Sequence, residues 1–461
     1  MVRRAFYYVR ITLLTLLLSG AAVLSLWSQK DDPRFYKFLQ TWPGRVLAHA
    51  FKWHALPMDQ IVREKPDSEM TPDELRVKHE LEAEIVAHVP THQLEMTNGQ
   101  VLAGTVVEDA PGHVLFRQSY GASAEIDTKI SRESIVRVTP YAAKLPSVTY
   151  RDVRFKMEFP DMAFYKAQPY SFLTDESYFR VMSAINELQA LHKEFREVFF
   201  PLIDRAREHH DIEVLFFSKE DKYRTYQRMV SGGLEFASGF YTPINDRLVV
   251  FNQFHGGDMA AIQRLVSDRE AQYRTNANTP EEERRVAEWR IHEDQRLVGF
   301  AEAQTMATIR HEGSHQLLFT YGVHSRHRVE NDWLTEGLAC YCETPRIGQI
   351  DIGRLRMIKV ALAKGKAFSL ADLMADRDGF SDAGSDERIS LAYSQSWSLI
   401  LFLMQPENRP RFLAYVRYLR EPINLEAIRK RDPADLVAET MGWTVAEMEK
   451  RWSEFVIALP M

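Results

Sequence analysis

Residues 308–322 read TIRHEGSHQLLFTYG, which sets His311 and His315 four positions apart with Glu312 directly after the first. On a helix, side chains four apart stack on one face, so both imidazoles can reach a single tetrahedral metal such as zinc. Glu312 is turned by about 100° from His311. Its carboxylate therefore falls beside the metal, where a base must sit to take a proton from an activated water. With 15 His and 64 acids in 461 residues, chance alone supplies about 0.07 such matches. The five residues by themselves leave the question open.

A third donor follows after 20 intervening residues: Glu336, in NDWLTEGLACYCE. That stretch reads as a second helix, with Asn331 or Asp332 as cap and an apolar stripe through Trp333, Gly337, Leu338 and Tyr341. The loop YGVHSRHRVEN between the two helices lets them lie antiparallel, so that a Glu early in the second can face both histidines. Two histidines, one glutamate and an open position form a catalytic zinc shell. The competing reading of Glu336 is a solvated acid in a first turn, where the helix dipole favours it anyway. The first helix is predicted over FAEAQTMATIRHEGSHQLLF, which lacks proline. Gly313 weakens it by about 1 kcal/mol against Ala, which a close approach at the metal would explain.

These elements belong to a chain whose composition is that of a globular protein, 45% hydrophobic and 26% charged. A net charge of −6 gives no sign of a nucleic-acid partner. The two cysteines, Cys340 and Cys342, point in different directions on a helix and cannot bridge. At the N-terminus, arginines 3, 4 and 10 precede ITLLTLLLSGAAVLSLW, 17 residues without a charge, enough for about 25 Å of helix. Basic flank first predicts an N-terminus inside and the bulk of the chain extracytoplasmic, whether periplasmic or at the cell surface. An uncleaved anchor is favoured over a cleaved signal peptide, because no clear A-x-A site precedes the polar segment. If it is cleaved, the protein is secreted.

Residues 31–90 read as a helical stalk, whose TPDELRVKHELEAEIVAHV opens with a capping box of Thr71 and Glu74 around Pro72. Between 91 and 146 the pattern alternates apolar and polar residues around Asn98 with Gly99, Pro111 with Gly112, and Gly121. That predicts four or five short antiparallel strands and a small SH3-like β-barrel acting as spacer or docking module. From 148 to 461 helices dominate. One carries Phe179, Met182, Ile185, Leu188 and Leu191 as its stripe. IEVLFF and FASGFYTPINDRLVVFN add strands, the second pair around a turn at 243–246. Thr279, Pro280 and Glu282 start another helix whose polar run EEERRVAEWRIHEDQR is expected to be solvated.

The blocks HEGSHQLLF, WLTEGLACYCE and AYSQSWSLILFLM, with RIGQIDIGRLRMIKVAL between the last two, resemble the gluzincin group of zinc metallopeptidases, the thermolysin-like peptidase-MA clan. They are most similar to a bacterial family filed as a domain of unknown function, with H-E-x-x-H-Q, W-L-x-E-G-L-A-x-Y-F-E and Y-x-Q-x-W blocks. The likeness covers residues 170–455 or so. It implies His311, His315 and Glu336 as zinc ligands, Glu312 as catalytic base and Tyr393 as an oxyanion-stabilising catalytic residue, against packing beside Trp397. It also implies that the strands of FASGFYTPINDRLVVF bind an extended peptide. Two positions depart from the pattern. Cys340 stands where many gluzincins have an acid supporting a histidine ligand, which leaves Glu343 for that task, and Cys342 replaces a phenylalanine. Cys340 is expected to be a buried, inert thiol rather than a metal ligand, and His324 and His327 to be surface histidines.

The expected fold class is α+β: an N-terminal transmembrane helix over 1–30, the stalk, a small SH3-like β-barrel, then a mainly helical metallopeptidase-like domain with a small mixed sheet. The expected function is a membrane-anchored extracytoplasmic zinc metallopeptidase acting on peptide or protein substrates. Two rivals remain at this point. One is a catalytically silent peptidase-like domain that binds peptides or envelope partners, which would have no use for Glu312. The other is a structural anchor in which zinc only staples two helices.

Overall fold

The computed structural model describes residues 64–461 apart from 88, 120–124, 141–144, 205–210, 231–236, 243–245, 325–330, 376–379 and 381–385. The apolar run expected to span a membrane lies outside the described residues. Among those described, no helix is long and apolar enough to cross one. The fold class is corrected accordingly: a mixed α and β chain with two open sheets and, among the described residues, no transmembrane helix.

Helix α1 (Pro72–Ala87) begins at the expected capping box. The Thr71 amide donates to Glu74 Oε2 at 2.8 Å, and the Glu74 amide donates to Thr71 Oγ1 at 3.3 Å. It is not a stalk. Val77 and Leu81 are buried with Val148, Val153, Phe155 and Phe164, and the Tyr150 hydroxyl donates to Glu74 Oε1 at 2.8 Å. The polar exterior of this helix hid a two-residue apolar contact that belongs to the larger domain.

Strands β1 (His92–Met96), β2 (Val101–Ala110), β3 (His113–Ser119), β4 (Glu125–Ser131) and β5 (Ile135–Pro140) form the expected antiparallel meander, in the order β4-β3-β2-β1-β5. Gly99, at φ +82°, makes the first turn in the left-handed region that glycine favours. The sheet does not close into a barrel. Closure needs an apolar inner row on every strand, and β4 buries a single residue, Ile130, against Leu94, Val114 and Phe116.

The second sheet has the order β6-β7-β8-β10-β9. Helix α2 (Tyr150–Glu158) leads into β6 (Ala163–Ala167) and β7 (Tyr170–Thr174), an antiparallel pair. Helix α3 (Tyr178–Phe199) crosses to β8 (Ile212–Phe217), parallel to β7. Helix α4 (Glu220–Val230) precedes β9 (Gly239–Thr242), and β10 (Arg247–Phe251) lies between β8 and β9, parallel to the first and antiparallel to the second. Both faces of this sheet are covered. Ile212, Val214, Phe216, Leu248 and Val250 join the core beneath α3, whereas Leu215, Phe217, Val249 and Phe251 pack with α1, α2 and α4. This is why IEVLFF is apolar throughout instead of alternating. On α3 the buried stripe runs through Val181, Ile185, Leu188, Leu191 and Phe195, while Phe179, expected within it, is 68% exposed.

The rest is helical: α5 (Gly257–Asn276), α6 (Pro280–Thr320), α7 (Asp332–Glu343), α8 (Ile352–Ala363), α9 (Leu370–Ala375), α10 (Asp386–Leu403), α11 (Arg409–Arg420), α12 (Leu425–Ile428), α13 (Pro433–Met441) and α14 (Val445–Ala458). The polar run after Thr279 and the histidine pair share one helix of 41 residues. Its first half makes a largely exposed hairpin with α5 around Met259, Val266, Leu297 and Ala301. Its second half enters the main core.

Candidate metal centre

Three residues of α6 that do not face the histidines fix its second half. Arg310, 2% exposed, donates from Nε to the Cys342 carbonyl at 3.1 Å and from Nη1 to Glu187 at 2.7 Å, tying α6 to α7 and α3. Gln316 Nε2 donates to the carbonyls of Glu213 and Asp246 at 3.0 and 2.9 Å, tying it to the sheet. Gly313 faces α3, where a Cβ would lie 2.7 Å from Leu188 Cδ2. The glycine is thus explained by helix packing, not by approach to a metal. On α7, a Cβ at Gly337 would lie 2.8 Å from Ile400 Cγ1 and 3.1 Å from the Ser396 carbonyl oxygen. That close approach of α7 to α10 sets the height of Glu336. Asn331 stands at the N-cap position of α7 but makes no capping hydrogen bond with its side chain.

His311, His315 and Glu336 come together. Nε2 of His311 lies 3.2 Å and Nε2 of His315 3.3 Å from the same oxygen, Glu336 Oε2. The two imidazoles meet edge to face, with centroids 4.9 Å apart. Their donor atoms form a group able to hold a metal ion. Glu312 stands outside it: its Oε2 accepts the Tyr241 amide of β9 at 2.9 Å. Gly239 on the same strand allows this, because a Cβ there would meet Thr308 Cγ2 at 2.6 Å and Glu312 Cγ at 3.2 Å. The edge strand and the histidine helix are therefore locked together at the carboxylate proposed as base.

Behind His311, Nδ1 is 3.3 Å from Glu343 Oε2, which also accepts Arg354 Nη2 at 2.7 Å. Arg354 opens α8, and Asp351, the N-cap of that helix, accepts its amide at 2.9 Å. Sequence reading missed Arg354; a cation in the first turn of a helix runs against the dipole and was the available signal. Cys340 is fully buried and forms a second donor group with His311 and Glu343. Burial pushes its thiol up, against the pull of Arg354 and His311. Burial drives the Cys342 thiol to about 12. Both thiols are buried and favour the protonated form; burial of Cys340 was expected.

Charges dominate the electrostatics. Burial disfavours the His311 cation, yet hydrogen bonding to Cys340, Glu336 and Glu343 outweighs it and raises the imidazole well above its ordinary range. Burial likewise opposes both carboxylates, and their partners prevail. The charge of His315 and hydrogen bonds from both histidines hold Glu336 well below the usual carboxylate range. His311 and Arg354 bring Glu343 down to about 2. The Tyr393 ring lies 6.1 Å from that of His311 and 5.6 Å from Phe380. Burial and the Glu336 charge keep its phenol protonated well above the ordinary range. Tyr393 thus stands beside His311.

His324 departs from expectation. It is not a surface histidine: its Nε2 is shut off from solvent. His327 lies outside the described residues.

The site segment has relatives. Residues 305–426 match the family model described as Protein of unknown function (DUF1570). The match spans about a quarter of the chain and contains all three donors, Glu312, Glu343, Arg354 and Tyr393. It is narrower than the likeness read from sequence and omits the second sheet. A search of curated proteins finds no match.

Proposed function

We propose that this chain is a zinc metallopeptidase of gluzincin type that hydrolyses peptide bonds. The observation that carries the reading is the convergence of two imidazole nitrogens on one carboxylate oxygen at 3.2 and 3.3 Å. In a tetrahedral shell with bonds of about 2.0 Å, donor atoms are about 3.3 Å apart. The donor chemistry and the spacing both fit zinc, and His311, His315 and Glu336 would hold it. Bound there, zinc supplies Lewis-acid polarisation of a carbonyl and of water.

The chain's own residues supply the rest. Glu343 accepts the Nδ1 hydrogen of His311, which leaves Nε2 of the ligating tautomer as a donor. Arg354 holds Glu343 in place for that task. Glu312 takes the proton of the attacking water on a carboxylate oxygen and delivers it to the departing amine nitrogen. The Tyr241 amide fixes the Glu312 carboxylate before substrate arrives. Tyr393 offers its hydroxyl hydrogen to the oxygen that gains charge. The substrate is an extended peptide lying along the outer edge of β9, next to Glu312, by strand addition.

The test is elemental zinc content beside hydrolysis of a broad peptide library. Glu312→Gln should keep its zinc and lose on the order of a hundred- to ten-thousand-fold in turnover. His311→Ala and His315→Ala should lose the metal. A parent that binds zinc and cleaves nothing would make a peptide-binding module the better account.

A further inference from the structure

Asp246 is an acidic residue that the chemistry above does not use. It stands in the turn between β9 and β10, directly before Arg247, where a carboxylate would ordinarily point into water, yet it is 2% exposed. Apart from glycines it is also the one described residue with a positive φ, +53°. A left-handed backbone and a buried acid both cost stability, and such strain persists only where the surroundings hold it in place. Aspartate is among the few residues that tolerate this conformation.

Its contacts reach two elements of the candidate centre. On α6, its carbonyl accepts Gln316 Nε2 at 2.9 Å, and its carboxylate oxygens accept Thr320 Oγ1 at 3.3 and 3.2 Å. On β9, its Oδ1 accepts the Tyr241 hydroxyl. Glu312, Gln316 and Thr320 are spaced four apart, so they form one stripe of α6, beside the stripe of His311 and His315. The β9–β10 hairpin is fastened to every member of that stripe: Asp246 holds Gln316 and Thr320, and the Tyr241 amide holds Glu312 at 2.9 Å. Tyr241 is itself fixed by its amide on Glu312, its ring stacked on Phe319 at 5.6 Å and its hydroxyl on Asp246. Ladder hydrogen bonds set β9 against β10 within the sheet. They do not set it against a helix packed across the sheet, and the bonds of Asp246 do.

We propose that Asp246 is a positioning residue for Glu312. By binding Thr320 and the Tyr241 hydroxyl at once, it sets β9 against α6 so that the Tyr241 amide meets the Glu312 carboxylate. Its effect on turnover rests on the metallopeptidase reading. The metal donors lie on the neighbouring stripe and on α7, so zinc content should not depend on it. The strained backbone of Asp246 has its use here: it turns the carboxylate inward and leaves the carbonyl on Gln316.

The experiment uses the zinc-loaded full chain labelled with 15N-tyrosine. Asp246→Gly removes the carboxylate and accepts the positive φ; Asp246→Asn keeps an acceptor oxygen and also tolerates that φ; Tyr241→Phe identifies the Tyr241 resonance by its loss. Amide exchange of Tyr241, zinc content, kcat and KM are measured on the parent and on both Asp246 variants. In Asp246→Gly the Tyr241 amide should exchange about tenfold or more faster and kcat should fall about tenfold or more, with KM within about twofold and zinc unchanged. Asp246→Asn should recover most of both. In a Glu312→Gln background, Asp246→Gly should lower the residual turnover no further. Parental exchange of the Tyr241 amide in Asp246→Gly overturns the assignment whatever the activity, and leaves the metallopeptidase reading intact. Loss of zinc, or an equal fall of kcat in the Glu312→Gln background, also overturns it, by making Asp246 a support of the fold and not of the base. A parent that holds zinc and cleaves no peptide refutes the metallopeptidase reading, and the assignment falls with it.

Discussion

The contact between α7 and α10 offers the sharpest test of how the donor group is positioned. In Gly337→Ala the new methyl would sit 2.8 Å from Ile400 Cγ1 and 3.1 and 3.2 Å from the carbonyl oxygen and carbon of Ser396, where ordinary contact begins at 3.4 Å. Ile400 is fully buried and β-branched, so it has little room to turn. Ser396 contributes main chain of a helix, which cannot yield locally. Helix α7 must therefore back away from α10 by about half an ångström, roughly the tolerance within which a metal constellation has to be held. Overpacking costs about 1–3 kcal/mol, and replacing a helical glycine by alanine returns about 1 kcal/mol. The melting temperature should fall only modestly. Zinc affinity should fall further, by about tenfold or more, because Glu336 is the neighbouring residue. Gly299→Ala is the control: a Cβ there meets nothing within 4 Å, so it should leave zinc binding unchanged. Zinc affinity is read by competition with a chromogenic chelator, and stability by circular dichroism of the metal-free protein. If Gly337→Ala binds zinc as tightly as the parent, the α7–α10 contact does not set the position of Glu336 and the reasoning fails.

Three further outcomes are expected. Arg354→Met leaves Glu343 without its 2.7 Å partner, so zinc affinity should drop about tenfold or more while the fold persists; an unchanged affinity would show that Glu343 needs no support. A chain that starts at Val148 lacks Val77 and Leu81, which are buried against Phe155 and Phe164. At about 1.5–3 kcal/mol for each buried side chain, it should lose roughly 3–6 kcal/mol in urea unfolding, and equal stability would restore the stalk reading. Burial, with Arg196 beside it, lowers His192 from 6.5 to about 4. The unfolded chain then takes up that proton first as pH falls, so stability is intact above pH 6.5 and declines between there and pH 4. In His192→Gln that decline should be shallower, and urea midpoints that fall equally steeply in both proteins would rule this out.

What could be read without coordinates was local. The histidine pair, its adjoining glutamate and Glu336 lie on helices that the sequence predicts from capping residues and apolar spacing, and those helices form. Glu343 came from the family resemblance, which expects a supporting acid where Cys340 stands. The strands of the small sheet and the two capping boxes followed from turn residues and short-range hydrogen bonding, which depend on a few neighbours along the chain.

Everything set by contacts between distant residues needed the tertiary structure. Barrel closure depends on whether β4 and β5 carry enough inward apolar residues to meet, and β4 offers only Ile130. Whether α1 stands free or docks depends on Val77 and Leu81 finding Phe155 and Phe164 across the chain. Gly313 looked like a flaw in a helix until Leu188 of α3 filled the space a Cβ would need. The partners of Glu312 and Glu343 are a strand amide 71 residues away and an arginine 11 residues on, and His324 is half-buried, with Nε2 shut off from solvent, because the chain folds back over α6. Sequence determined which side chains could hold a metal and on which helices they stand, because periodicity and caps are short-range. Only the fold decided how far apart their donor atoms lie and which groups close around them, because burial and packing belong to pairs that the chain itself does not bring together.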